Sequence, residues 1–362
     1  MLLEPGLRLR AALPLFAVCP TPPPPLDNKA TIDYVKLTAA AEGVIRVLPI
    51  GCISKDRKGE ELAPLDEMAS AGVVGYSDDG NPVLNSEVMF QALEFSRSHD
   101  LPIIDHCEDT TFTIGGLIND GTSSTRLNLS SISAAAEWLM VMRDLALARL
   151  TGGRLHIAHV STRGSIEFIQ QGKEEGIRVT AEVTPHHLTL TEEKVIDSDI
   201  NAKVNPPLRA EKDIHALTQG LKDGVIDIIA TDHAPHTEAD KRVDFALAPP
   251  GISGFETALG ILMSLVHNGQ LTLNTLIAKL TCEPAGIIGG RHGKLGTLAI
   301  GAPADITIFD PERDWVVDTG SFASKGRNTP LTGSTLKGKV MATIFQGKLV
   351  YKDNLIKVEE RI

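Results

Sequence analysis

The run Ile226-Asp227-Ile228-Ile229-Ala230-Thr231-Asp232-His233-Ala234-Pro235-His236 empties a short apolar stretch into a carboxylate and imidazoles, groups that bind divalent cations and move protons. A buried parallel strand whose C-terminal end opens into a site has this appearance, and so does a core strand followed by a polar turn. Four more segments share the grammar. Gly72 to Tyr76 runs into Ser77-Asp78-Asp79-Gly80, and Leu101 to Ile104 into Asp105-His106-Cys107-Glu108-Asp109. Leu155 to Ala158 runs into His159-Val160-Ser161-Thr162, and Val179 to Val183 into Thr184-Pro185-His186-His187. His, Asp and Asp without partner thiols suit Zn or a similar ion bound by imidazole and carboxylate.

Residues so far apart in sequence form one site only if the strand ends meet. Val44 to Gly51 adds another β-like run, and most of these runs are followed by a helical pattern. Alternating strands and helices with short loops give parallel strands and right-handed crossovers, and a (β/α)8 barrel gathers all the C-terminal strand ends on one face. Helical spacing is expected for Thr31 to Glu42 (Ile32, Val35 and Leu37) and for Pro64 to Ala71. In Asn85 to His99, Ser86 is the expected cap and Val88, Phe90, Ala92, Leu93 and Phe95 the buried stripe. Further helices are expected over Ser130 to Leu150, Gly164 to Gly176, Glu211 to Gly224 and the region from Leu271 to Ile288. Pro249-Pro250-Gly251-Ile252-Ser253-Gly254 reads as a loop whose backbone faces a ligand. Gly301 to Asp310 and Gly338 to Tyr351 are β-rich with turn glycines, a small β appendage.

The expected divisions are an irregular segment 1–27, a barrel over 28–290 and the appendage over 291–362. Within the first, a proline tract from Pro20 excludes a helix, and Leu13 to Cys19 reads as a strand. A chain of 362 residues, 42% hydrophobic, buries one large core. A formal charge of −11 argues against a nucleic-acid binder. No apolar run reaches membrane-spanning length, and no small-residue cleavage site follows the short run at Leu13 to Cys19. Cys19, Cys52, Cys107 and Cys282 are scattered, so a reduced, cytoplasmic protein is expected, with Cys107 a buried structural thiol.

In this order, Ser-Asp-Asp-Gly, His-Cys-Glu-Asp, His-Val-Ser-Thr, Val-Thr-Pro-His-His, Asn205-Pro206-Pro207-Leu208-Arg209 and Thr-Asp-His-Ala-Pro-His resemble the class I dihydroorotases of the amidohydrolase superfamily. Gly254-Phe255-Glu256-Thr257 and Gly301-Ala302-Pro303-Ala304-Asp305 match as well. The resemblance implies zinc-dependent, reversible cyclisation of N-carbamoyl-L-aspartate to L-dihydroorotate in pyrimidine biosynthesis, with two zinc ions per site. It makes Asp79 the carboxylate that bridges the metals, His106 and His159 the imidazoles of the second metal, and Asp232 both ligand and general acid/base. Asn205, His236, Pro250 and Gly251 fall at substrate-contacting positions; His186, His187 and His233 are expected to be structural. A homodimer or a complex with aspartate carbamoyltransferase are the assemblies it admits. The alternatives are a non-catalytic scaffold for that transferase, or a hydantoinase- or allantoinase-type enzyme, against which Asp79 in place of a lysine speaks.

The N-terminus departs from the family. Where the resemblance asks for His-x-His and then Leu-Arg-Glu-Pro-Gly, this sequence has Met1-Leu2-Leu3-Glu4-Pro5-Gly6, which sets Met1 on the second His and Leu3 on the Arg. The expectation is therefore a barrel without strand 1, strand 2 resting on Leu13 to Cys19, one zinc or fewer, and impaired turnover.

Overall fold

A computed structural model describes residues 24–195 and 199–353, together with the backbone of Leu15–Val18. Parallel strands follow one another in chain order around a barrel: Leu15–Val18, Arg46–Pro49, the stretch through Tyr76, Ile103–Asp105, Leu155–Ile157, Val179–Val183 and Ile228–Ile229. Tyr76 joins its neighbours through single bridges, to Gly51 on one side and Ile103 on the other. Five of the six strand runs anticipated from residue 44 onward are strands, and the sixth, Gly72 to Tyr76, is reduced to the bridges at Tyr76. The run at Leu13 to Cys19 is realised as Leu15–Val18, paired in parallel register with Arg46–Pro49. Residues 1–14, where a further strand would be sought, lie outside the described residues.

The strands read as apolar runs because helices cover their outer face. Val179, Ala181 and Val183 are buried, alternating with half-buried Thr180 and Glu182 as a period of two requires. The helices that cover the strands present apolar side chains to this layer. In Arg163–Glu174 these include Ile166 and Ile169, and full burial of such a side chain stabilises by about 1.5–3 kcal/mol.

Helices occupy Lys29–Glu42, Leu65–Ala71, Ser86–His99, Ala135–Thr151, Arg163–Glu174 and Glu211–Asp223, close to the expected spans. Details differ where periodicity carries little information. Asn85, not Ser86, caps its helix, its side-chain oxygen accepting the Glu87 N–H at 3.0 Å. Met89 and Ser96 take the buried places expected of Phe90 and Phe95, which are half-buried, and Leu37 is exposed. The region after Leu271 is two helices, Leu273–Leu280 and Cys282–Ile288, broken at Thr281. A helix over Ala258–His267 was not anticipated; it is an almost continuous apolar run and most of it is buried.

The C-terminal appendage is an antiparallel sheet of Ile306–Val316, Thr335–Phe345 and Lys348–Lys352, with Thr335–Phe345 in the centre. It is tied to the barrel at Gly260, where an added Cβ would come within 3.1–3.2 Å of Leu336 and Trp315. The connection 317–334 between its two long strands returns to the barrel mouth: Glu256 accepts the N–H groups of Ala323 (3.1 Å) and Ser324 (2.9 Å).

Candidate functional site

Three strand ends bring their side chains to one point. His106 follows Ile103–Asp105, His159 follows Leu155–Ile157, and Asp79 follows the Tyr76 stretch. His106 Nδ1 lies 2.8 Å from His159 Nε2, and Asp79 Oδ1 lies 3.3 Å from His159 Nε2 and 3.8 Å from His106 Nδ1. Both imidazoles are buried. Two ring nitrogens and a carboxylate oxygen aimed at one another are a donor set for a cation of zinc's type, which lets both nitrogens act as acceptors. The Asp105, Cys107 and Asp144 side chains also cluster, but there Arg143 forks onto Asp144 at 2.6 and 2.9 Å and supplies the positive charge.

The electrostatics of the three groups are mutual. Burial would raise the Asp79 carboxyl, yet the hydrogen bond and charge of His159, with His106 and Arg57, hold it well below the usual range. Burial pulls His159 down, and Asp79, joined by Asp232 and Glu182, outweighs it and lifts the imidazole to about 9. Asp232 stands outside the triad, its Oδ2 4.0 Å from His186 Nε2, a buried nitrogen with no hydrogen-bond partner among the described residues. Burial pushes the Asp232 carboxyl up and His159 pulls it down; with Asp79 and Glu182 adding repulsion, it stands at about 6.

Backbone conformation aims these side chains. His159 (φ 32°) and Asp232 (φ 44°) sit in the left-handed region, which costs a non-glycine residue about 1–3 kcal/mol and persists only where neighbours enforce it. For His159 the enforcing group is Glu137, a buried carboxylate on the Ala135–Thr151 helix. It accepts the N–H groups of Ser161 (3.1 Å) and Thr162 (3.0 Å) and the hydroxyls of Thr162 (2.9 Å) and Ser165 (2.7 Å). Asp78 does the same work before Asp79, accepting the Ile53 and Ser54 N–H groups at 2.8 and 3.1 Å. Arg57 reaches the carbonyls of both Asp78 and Asp79.

Glu108 carries two contacts that sequence reading missed. Its Oε2 lies 3.0 Å from His106 Nε2, the nitrogen facing away from the triad, and accepts Asn205 Nδ2–H at 2.9 Å. A ligand imidazole held from behind by a carboxylate is the usual support of a metal site. Asn205 is thereby beside the triad, 3.3 Å from His106 Nε2. His106, Glu108, Asn205 and Arg209 line one small cavity.

His236, Pro250 and Gly251 form a second group. His236 Nε2 is 2.9 Å from the Pro250 carbonyl, and Gly251 has φ 140°, where an added Cβ would stand 2.6 Å from that of Ala234. His233 accepts the N–H groups of Gly254 (3.1 Å) and Phe255 (3.3 Å) at Nδ1 and stacks on Phe255, a structural imidazole held neutral by burial at about 3. His187 is likewise structural, Nδ1 2.8 Å from the Thr184 hydroxyl and Nε2 3.0 Å from the Pro206 carbonyl. Cys107 is buried, with its Sγ 3.4 Å from Asp144 Oδ2. No helix among the described residues is long and apolar enough to cross a membrane.

Residues 36–350 match the amidohydrolase family. Over 349 residues the chain is 48% identical to a dihydroorotase of Pelotomaculum thermopropionicum, covering 96% of this chain and 81% of that protein. It is 47% identical to a dihydroorotase of Caldanaerobacter subterraneus, covering 93% of this chain and 78% of that one. The fold superposes on an L-hydantoinase from Arthrobacter aurescens with a TM-score of 0.85 at 24% identity, over 98% of this chain and 80% of that one.

Proposed function

Since this chain belongs to the amidohydrolase family, and within it to the dihydroorotases, we propose that it opens and closes the ring of dihydroorotate, a cyclic amide, with one zinc ion held by Asp79, His106 and His159. The observation that carries this reading is the convergence of those three donors at the ends of neighbouring barrel strands. When bound, zinc supplies Lewis acidity and makes water a competent nucleophile near neutral pH.

The protein's part is proton transfer and positioning. Ring opening adds water across the amide C–N bond, so one proton must leave the attacking water and one must reach the departing nitrogen. Asp232, a carboxyl beside the triad that burial pushes up from its ordinary range, is suited to take the first and deliver the second. Asn205, which bonds Glu108, and His236 with the Pro250–Gly251 backbone contact the substrate ring. Glu108 fixes His106 and Asn205 together.

The test is hydrolysis of dihydroorotate by the full chain with zinc, alongside Asp232→Asn. Removing a general acid/base lowers turnover by about 10²–10⁴-fold. Hydrolysis above a zinc-only background that is lost in the variant is the expected result; turnover equal in both proteins overturns the assignment of Asp232.

A further inference from the structure

Asn328 lies far from the barrel strands in sequence, in the 317–334 connection of the C-terminal sheet, and is 4% exposed. Its carboxamide is saturated. Nδ2 donates to the carbonyls of Ala234 (3.0 Å) and Gly251 (2.9 Å), and Oδ1 accepts from the His236 N–H (2.9 Å) and the Ser253 hydroxyl (2.7 Å). Its own carbonyl accepts the Ser253 N–H at 2.8 Å. A carboxamide offers two donors and one oxygen with two lone pairs, and here all are used, which also fixes which end is nitrogen.

The partners belong to two different loops. Ala234 and His236 follow the Ile228–Ile229 strand, while Gly251 and Ser253 belong to the loop that precedes the Ala258–His267 helix. The loops also meet through the His233–Ile252 bridge, through the Gly254 and Phe255 N–H groups on His233 Nδ1 with the His233–Phe255 stack, and through His236 Nε2 on the Pro250 carbonyl; of these only the last reaches His236. Asn328 is inserted against both from behind. Two residues earlier, Gly326 is pressed so closely on Pro235 that a Cβ there would stand 2.4 Å from the proline Cβ. The segment is in turn anchored by Glu256 on the N–H groups of Ala323 and Ser324.

We propose that Asn328 is a positioning residue that sets the spacing between His236 and the Pro250–Gly251 backbone, and with it the width of the subsite that receives the substrate ring. That the subsite takes dihydroorotate rests on the dihydroorotase reading; the lock between the loops does not. No other side-chain type of this length supplies two donors and two acceptors together: aspartate loses both donors and sets a negative charge against two carbonyl oxygens.

The experiment compares the full-length wild type with Asn328→Ala, Asn328→Asp and, should either fail to fold, Asn328→Ser. Amide hydrogen exchange is read over 233–237 and 250–254, with 155–169 as reference, and kcat and KM for dihydroorotate are measured with zinc. Asn328→Ala removes all four side-chain hydrogen bonds, and with the freed loop groups partly taken up by water a net loss equal to one or two of them corresponds to about a tenfold change. Exchange in both loops is expected to quicken about tenfold with the reference unchanged, while KM rises about tenfold and kcat stays within about threefold. Unchanged loop exchange in Asn328→Ala overturns the proposal. So does faster exchange with an unchanged KM, or exchange that quickens equally in the reference. A wild type inert toward dihydroorotate would sink the substrate reading, and loop exchange would still decide whether Asn328 is the lock.

Discussion

Replacing Glu108 tests whether the triad is a metal centre without relying on turnover. Glu108 Oε2 serves His106 Nε2 at 3.0 Å and Asn205 Nδ2 at 2.9 Å, and its side chain is only 15% exposed. Burial would raise this carboxyl, but the hydrogen bond and charge of His106, with help from Asn205, hold it well below the usual range. Loss of such an outer partner lowers metal affinity by about 10–100-fold, or about 1.4–2.7 kcal/mol. Glu108→Gln keeps one oxygen acceptor and should fall near the low end; Glu108→Ala leaves the His106 N–H unpaired and should fall near the high end. Asn205→Ala, which leaves the His106–Glu108 contact intact, should change zinc affinity by less than about threefold. Competition for zinc against a chromophoric chelator reads all three. Affinities for both Glu108 variants within about twofold of wild type would mean that His106 is not a ligand through Nδ1.

His159→Ala should abolish tight zinc binding, and metal analysis of the wild type should find one equivalent; two equivalents would refute the one-ion site. His233 is held at about 3 against 6.5, so below 6.5 the native state binds fewer protons than the unfolded chain. Its contribution is complete above pH 6.5 and is lost as pH falls toward 3. In urea unfolding, wild type should therefore lose about 2–3 kcal/mol more than His233→Gln between about pH 7 and about pH 4, and parallel losses would count against a neutral, half-buried His233. Gly251→Ala, forced to φ 140° with its Cβ 2.6 Å from that of Ala234, should destabilise by about 1–3 kcal/mol; a melting temperature unchanged from wild type would show that the loop relaxes freely.

Much of the site was legible because it is written at strand ends. Asp79, His106, His159 and Asp232 each follow a short apolar run, and a parallel barrel converts that local pattern into proximity. What remained hidden are the residues that aim them. Glu137 is one acid on a helix, and its bond to Ser161 spans 24 residues of chain; no periodicity distinguishes it from a solvated neighbour. Asn328 reaches back 92 residues to the His236 N–H, and a polar residue in a loop reads as surface until the partners are seen. The Ala258–His267 helix escaped because its sequence is an almost unbroken apolar run, and a short apolar run does not by itself tell a buried helix from a strand.

The backbone around His159 and Asp79 and the ring of His106 are held by protein groups: Glu137 on the turn after His159, Asp78 and Arg57 beside Asp79, and Glu108 behind His106, while His159 Nδ1 has no hydrogen-bond partner among the described residues. The ion therefore has little ordering left to do. In sites that assemble only around their metal, much of the binding free energy is consumed in folding the chain, and chelation unfolds the domain. Here the metal-free chain should stay compact and cooperative, and an ion held by the triad should enter and leave without a folding step.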